Sequence, residues 1–182
     1  MKRQDAPGAL ELVRGFVNSL DLELGTDRFA TPEGLHGWLV ERDLIEASDL
    51  VDQDDRSRAV EMRESLRALA RGNSDQAVPR RVSVVLDQIA EHADVRLHFR
   101  ADGTQTLASL GTGTVTRVLG RILAIVGLAF FEGTWQRLKV CPAKDCQFAF
   151  YDHSKNRSGQ WCQMAECGNR AKARTFRARR AP

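Results

Sequence analysis

Four cysteines constrain this 182-residue chain more than any other feature. Cys141, Cys146, Cys162 and Cys167 fall as two pairs, each with four residues between its members, separated by fifteen. Two short loops that each supply two sulfurs are a metal-ligand rhythm, and Zn²⁺ accepts four thiolates tetrahedrally at about 2.3 Å. The opening MKRQDAPGALELV contains no apolar run of signal-peptide type, so a cytoplasmic location is expected. Reducing cytosol favours metal over disulfides. The same context removes the Asn156-Arg157-Ser158 sequon as a glycosylation site.

With all four positions filled by sulfur, the zinc is expected to be single and structural, with no open site for a catalytic water. An element of this size builds little core, so the metal supplies much of its folding free energy. Phe148, Phe150 and Trp161 stand where a hairpin between the cysteine pairs needs apolar cover, and Ser158-Gly159 offers its turn. Two alternatives stay open: His153 could replace one cysteine, or the thiols could be unrelated buried or redox-active groups. His36, His92 and His98 are scattered and read as surface or packing residues.

Charge is distributed unevenly. From Arg137 onward eleven Lys/Arg face Asp145, Asp152 and Glu166, a balance of +8, whereas the remainder carries 16 Lys/Arg against 21 Asp/Glu. A mildly acidic body with a basic end is the footprint of a polyanion-binding appendage. In GNRAKARTFRARR after Cys167, Arg170, Arg174 and Arg177 share one helical stripe, which Lys172 and Arg179 widen and Arg180 extends. Guanidinium groups on such a helix bind phosphates and read guanine. Lys155 and Arg157, at the expected hairpin tip, extend the patch. The bland alternative is a solvated cationic tail.

The body reads as mainly helical. Leu10, Val13, Phe16, Val17, Leu20 and Leu24 recur at helical spacing up to Gly25. Thr31-Pro32-Glu33 starts a second helix that buries Leu35, Trp38 and Leu39. A long helix is expected from about Ser48 to Arg71, with Val60, Leu66 and Leu69 inward, its Asp/Glu/Arg outward, and Gly72-Asn73 as the stop. Pro79 opens another, carrying Val82, Val85, Leu86 and Ile89. Val95, Leu97 and Phe99 then alternate with polar residues before Asp102-Gly103 and the return Thr104 to Leu110, a β-hairpin pattern.

Thr114 to Phe131 reads as a buried, threonine-capped helix. Its apolar run, Ile122 to Phe131, is ten residues long, short of the roughly 20 a membrane span needs. Gly111-Thr112-Gly113 lacks the further residues of a phosphate loop. The fold class is therefore α+β: residues 1–133 form a mainly helical domain with a β-hairpin, and 134–182 form a small finger with a basic C-terminal helix that docks on it. No nucleophile with its base and no paired-carboxylate site stands out, so an enzyme is not expected. Asn18, Asp21, Thr26 and Asp27, with Gly25, make a polar group that is either a candidate small-molecule pocket or a set of caps.

Cys167-Gly168-Asn169-Arg170, with Trp161-Cys162-Gln163-Met164, Phe150-Tyr151-Asp152 and Ser154-Lys155-Asn156, resembles the CGNR zinc finger, a treble-clef-like module of bacteria. Val17 to Asp21, Gly25-Thr26-Asp27, Ala30 to Glu33, Leu35 and Trp38-Leu39 are similar to the ABATE domain that precedes this finger. The resemblance spans nearly the whole chain. It implies a stress-induced transcriptional regulator, with the four cysteines on zinc and Asn169 and Arg170 as motif positions of a DNA-binding finger. This chain departs from the family just before Trp161, where Gly159-Gln160 replaces arginines. DNA is the expected partner, and RNA or a protein is the alternative. A small-molecule effector for the body and a homodimer pairing two half-sites complete the expectations, with no heptad seam to mark an interface.

Overall fold

Capping chemistry sets where the helices of the body begin. The computed structural model describes residues 5–74 and 76–180, with the side chains of Arg179 and Arg180 outside that set. Helix α1 spans Leu10–Val17 and buries Leu10, Val13, Phe16 and Val17. It is shorter than the periodicity suggests: Leu20–Asp21 (β1) pairs with Thr26–Asp27 (β2), and Leu24 is 74% exposed at the turn between them. Gly25, at φ +66°, belongs to that turn rather than to a helix end. Helix α2, Pro32–Val40, starts as expected, with the Thr31 hydroxyl accepting from the Gly34 amide at 3.1 Å.

Helix α3, Gln53–Arg71, begins later than Ser48 because Asp52 and Asp55 form a reciprocal capping box. Val60 and Leu69 are half-buried beside the fully buried Leu66. The expectation that its arginines face outward fails at two positions. Arg63 and Arg67 are each 2% exposed; besides Glu64 on the same helix, their partners lie on other elements. Gly72 continues into a tight turn, Gly72–Ser74, with right-handed φ. Helix α4, Arg80–His92, follows Pro79 and buries Val82 and Ile89.

Strands Val95–Phe99 (β3) and Gln105–Ser109 (β4) form the expected antiparallel hairpin, with Leu97 opposite Leu107 and Gly103 at φ +81° in its turn. β4 packs on helix α5, Thr114–Phe131, while Leu97 and Phe99 stay exposed. α5 has no threonine cap: Gly113, at φ +89°, precedes it, and Thr114 instead donates its hydroxyl to Asp49 at 3.3 Å. α5 is long and apolar enough to cross a bilayer by composition alone, but half of it is buried in the core of this fold.

Strands Leu138–Val140 (β5) and Ala149–Tyr151 (β6) then pair across the first cysteine pair, and helix α6, Asn169–Arg180, ends the described chain. The core of the body is built around Phe16, Phe29 and Trp38, whose ring centroids lie 5.3–5.7 Å apart. It runs without a break through Leu138, Val140, Ala149 and Tyr151. Phe150, on the opposite face of β6, joins a second cluster made of the four cysteines and Ala143. One short hairpin therefore serves two cores.

Gly120 is where α5 meets the β3–β4 hairpin most closely. A Cβ there would stand 2.6 Å from the Ser109 Cβ and 2.8 Å from the Ala93 Cβ. Gly120→Leu is expected to lower stability by about 1–3 kcal/mol through overpacking. The measurement is a shift of the urea midpoint at unchanged slope, and an unshifted midpoint would refute the close approach.

Candidate functional site

Strand β5 delivers Cys141, whose amide donates to the Phe148 carbonyl at 2.9 Å. The chain then turns so that the Cys146 and Gln147 amides both donate to the Ala143 carbonyl at 3.0 Å, with Gln147 at φ +52°. The body holds this turn from outside. Arg67 donates to the Gln147 carbonyl at 2.7 Å and to the Val17 carbonyl at 2.7 Å, and Arg71 donates to the Gln147 side chain. Asn18 donates to the Ala149 carbonyl at 2.9 Å and accepts from the Ala149 amide at 2.7 Å, so one side chain substitutes for a missing strand neighbour along β6. Asn73 donates to the carbonyls of Trp135 and Leu138.

Of the second pair, Cys162 lies just before, and Cys167 within, a wide turn, Met164–Gly168, that runs straight into α6. Gly168 leaves room there for Met164 and Trp161, since a Cβ would meet the Met164 sulfur at 2.4 Å and Trp161 at 3.3 Å and make the Met164 side chain shift. All four cysteine sulfurs lie within 4.8 Å of one another, with Cys146–Cys162 at 3.6 Å and Cys162–Cys167 at 3.7 Å. Four sulfurs held tetrahedrally at 2.3 Å from a common centre stand about 3.8 Å apart, whereas a disulfide needs about 2.05 Å. The spacing fits one zinc ion.

The electrostatics agree with the distances. Hydrogen bonds from neighbouring sulfurs drop the Cys141 thiol to about 2. Donating to Cys141 pushes Cys146 up to about 12, and its proximity to Cys141 and Cys146 pushes Cys162 up as well. Such crowded sulfurs cannot all ionise without a cation among them. His153 is no part of the cluster: its Nε2–H donates to the Asp5 carbonyl at 2.9 Å, and its ring packs edge-on to Tyr151 at 4.8 Å. The thiols are likewise not scattered, because all four are buried on one centre.

Arg170 of the CGNR tetrad lies against this centre. Its Nη2 donates to the Cys167 sulfur at 3.2 Å and its Nη1 to Glu23 in the β1–β2 turn at 2.8 Å. The sulfur first, then the carboxylate, push its pKa further up. Asn169 donates to the Ala165 carbonyl at 3.0 Å and secures the entry to α6. Arg174 approaches Asp145 at 3.8 Å, and the Arg177 Nε donates to the Ala173 carbonyl. Lys172 is exposed, and no described residue pairs with it. Arg179 and Arg180 belong to α6, but their side chains lie outside the described residues.

Lys155 and Arg157 are exposed on a loop, not at a hairpin tip, because β6 pairs with β5 and no strand follows it before Trp161. The loop is built on a buried ion pair. Lys139 donates to Asp152 at 2.8 Å and to the Gly159 carbonyl at 3.1 Å, and also to the Arg157 carbonyl at 2.5 Å. Asp152 accepts from the Ser154 amide at 2.9 Å and the Gly159 amide at 2.8 Å. Burial pushes the Asp152 carboxyl up, but Lys139 and these hydrogen bonds outweigh it and hold it at about 2. A Cβ on Gly159 would strike that carboxylate at 2.7 Å, which accounts for a glycine at this position.

The polar group of the N-terminal domain is used structurally. Asn18 holds β6, and Asp21 accepts from the Glu23 and Leu24 amides. Asp27 accepts from Phe29 and pairs with Arg63 at 2.6 Å, and Thr26 is exposed in β2. The paired strands set Asp21 opposite Thr26 and Leu20 opposite Asp27, so three of these residues share one small hairpin, while Asn18 is engaged at β6. Sequence reasoning missed Arg63, Arg67 and Lys139. A signal existed for the first two, since Arg63, Arg67 and Arg71 recur every four residues on one stripe of α3.

Two family models match the chain. The family described as "Putative stress-induced transcription regulator" (ABATE) matches residues 10–131, and the CGNR zinc finger matches residues 137–180. Among curated proteins, none matches significantly.

Two substitutions test this geometry. Arg170→Ala is expected to keep one zinc per chain yet weaken metal affinity by roughly 10–100-fold in chelator competition; unchanged affinity would show that the contact does nothing for the metal. Lys139→Met strands the Asp152 carboxylate and is expected to cost about 3–5 kcal/mol near neutral pH. In the wild type the depressed carboxyl stabilises the fold above its unfolded value of 3.8, and that gain fades as pH falls towards 2. The penalty in the variant should therefore shrink below about pH 4 in unfolding titrations; a penalty constant with pH would exclude the ion pair as its source.

Proposed function

Because the chain belongs to the ABATE family and carries the CGNR zinc finger, we propose that it is a zinc-dependent, DNA-binding transcriptional regulator of the stress-response type. In this reading the finger contacts the duplex and the body positions it. One observation supports the reading: from Arg137 onward eleven Lys/Arg stand against three Asp/Glu, whereas the rest of the chain has 16 against 21. On the finger, Lys155, Arg157, Lys172 and Arg177 are exposed and none has a carboxylate partner among the described residues. Exposed cations without carboxylate partners are what a polyanion requires.

The finger divides its basic residues between two tasks. Arg170 braces Cys167 and Arg174 leans on Asp145, so phosphate contact falls first to Lys172 and Arg177 on α6 and to Lys155 and Arg157 on the loop. The Gly159-Gln160 departure matters little for the charge of that loop, because Lys155 and Arg157 supply it. Zinc contributes no chemistry at the DNA in this reading; it fixes the angle between loop and helix. The reading assigns the chain no catalytic step.

The test is duplex binding across a salt series, with wild type and Lys172→Ala/Arg177→Ala. Wild-type affinity should fall steeply with salt, and the double variant should bind more weakly with a log–log slope shallower by roughly two. Chelated protein should lose binding. Salt-independent or absent binding by the zinc-loaded wild type would reject the reading, and retention of a protein partner under those conditions would favour a protein-interaction module.

A further inference from the structure

Between the loop and α6 lies an open cavity of about 740 Å³. Phe150, Trp161 and Met164 give it apolar walls, and Lys172 stands at its edge. Gln163 also lines it, and this residue is the informative one. It is 9% exposed overall, its side-chain amide makes no hydrogen bond to any described residue, and that amide is not sealed from solvent but open to the cavity. An amide carries two donors and an acceptor, which a molecule entering the cavity can engage in place of water. Among the other polar groups of the wall, Asp152 is neutralised by Lys139 and saturated by Ser154 and Gly159, and His153 donates to Asp5, while the Gln160 amide, like that of Gln163, has no described partner. The wall therefore presents an indole, two unused amides and a cation, without a free carboxylate to repel a phosphate.

We propose that this cavity receives an unpaired nucleobase of the bound nucleic acid. The base stacks against Trp161, its edge meets the Gln163 amide, and the adjoining phosphate lies on Lys172. The inference rests on the nucleic-acid reading of the finger and narrows its target to a site with a base out of the helix. Every base has a π-face for stacking, so the indole supplies affinity and the amide supplies choice. A glutamine amide matches adenine best, through N6 and N7. Paired bases inside a continuous stack cannot reach the cavity wall, which is what separates this target from plain duplex.

The experiment uses zinc-loaded full-length protein and a perfect DNA duplex, the same duplex with one bulged adenine or cytosine, and the RNA counterparts. Trp38 and Trp135 are each 1% exposed, so quenching of tryptophan fluorescence reports on Trp161. The expected result is roughly tenfold tighter binding to a bulged than to a perfect duplex, with quenching only on the bulged one. The DNA and RNA arms show which polymer supplies the base. Gln163→Leu should abolish the preference while keeping zinc content and duplex affinity. Gln163→Glu, which preserves shape, should lose the adenine preference and serves if the leucine variant fails to fold. Equal affinity for bulged and perfect duplexes, without quenching, overturns the pocket and leaves the phosphate-binding reading intact. A preference that survives both substitutions removes Gln163 from the proposal and overturns it as stated. No binding to any polymer overturns both readings.

Discussion

Mutual repulsion among four sulfurs is the constraint on which the C-terminal quarter depends. Held within 4.8 Å, they cannot all be thiolates unless a dication sits between them, and they are too far apart to form disulfides. The cluster they anchor is small, with Ala143 and Phe150 as its other buried members and Phe148 and Trp161 half-buried beside it. Little apolar surface is available to order the loop and α6 without the metal. The CGNR tetrad then reads as a sequence of physical requirements: a ligand, a residue with no side chain beside Met164, an amide that secures the helix entry, and a guanidinium on the ligand sulfur.

Finger and body are joined more closely than two domains in series. Leu138, Val140, Ala149 and Tyr151 complete the core of the body, while Phe150, between two of them, belongs to the metal cluster. Asn18, Arg67, Arg71 and Asn73 fasten the same hairpin and the turn after Cys146 through its backbone and Gln147. Glu23 reaches α6 through Arg170. Any change of shape in α3 or the β1–β2 turn would be felt at the cysteine centre through these bonds, since packed elements transmit displacement. The buried guanidinium groups accept that arrangement at a desolvation cost, visible in the lowered pKa of Arg67, where burial outweighs Glu64.

What the sequence made legible was whatever depends on local pattern. The cysteine spacing identified the ligand set, the helix starts at Thr31 and Pro79 followed from residue chemistry, and period-two alternation located the β3–β4 hairpin. What it hid were choices made by distant partners. Leu20 and Leu24 keep helical spacing with Leu10, but Asp21 accepts from the two amides that follow it and turns the chain into a short hairpin. The fifteen residues between the cysteine pairs suggested their own hairpin, whereas β6 found its partner in β5 on the other side of Cys141. Asn18 looked like a ligand-binding residue because nothing near it in sequence hints at Ala149, 131 positions away. Lys139 and Asp152 likewise gave no local sign of being buried together.

The shared hairpin also has a consequence for the order in which the chain is made. Residues 138–151 close the core of the body, yet they are synthesised after every helix that surrounds them. At roughly 5–20 residues per second, α1 to α5 wait with the place of Leu138 and Val140 unfilled until residues 138–151 emerge. The long separations between Asn18 and Ala149, and between Arg67 and Gln147, add loop-closure entropy to the same late step. A ribosome that stalls before the hairpin therefore holds a body with an open seam, which residues 138–151 close in a single step.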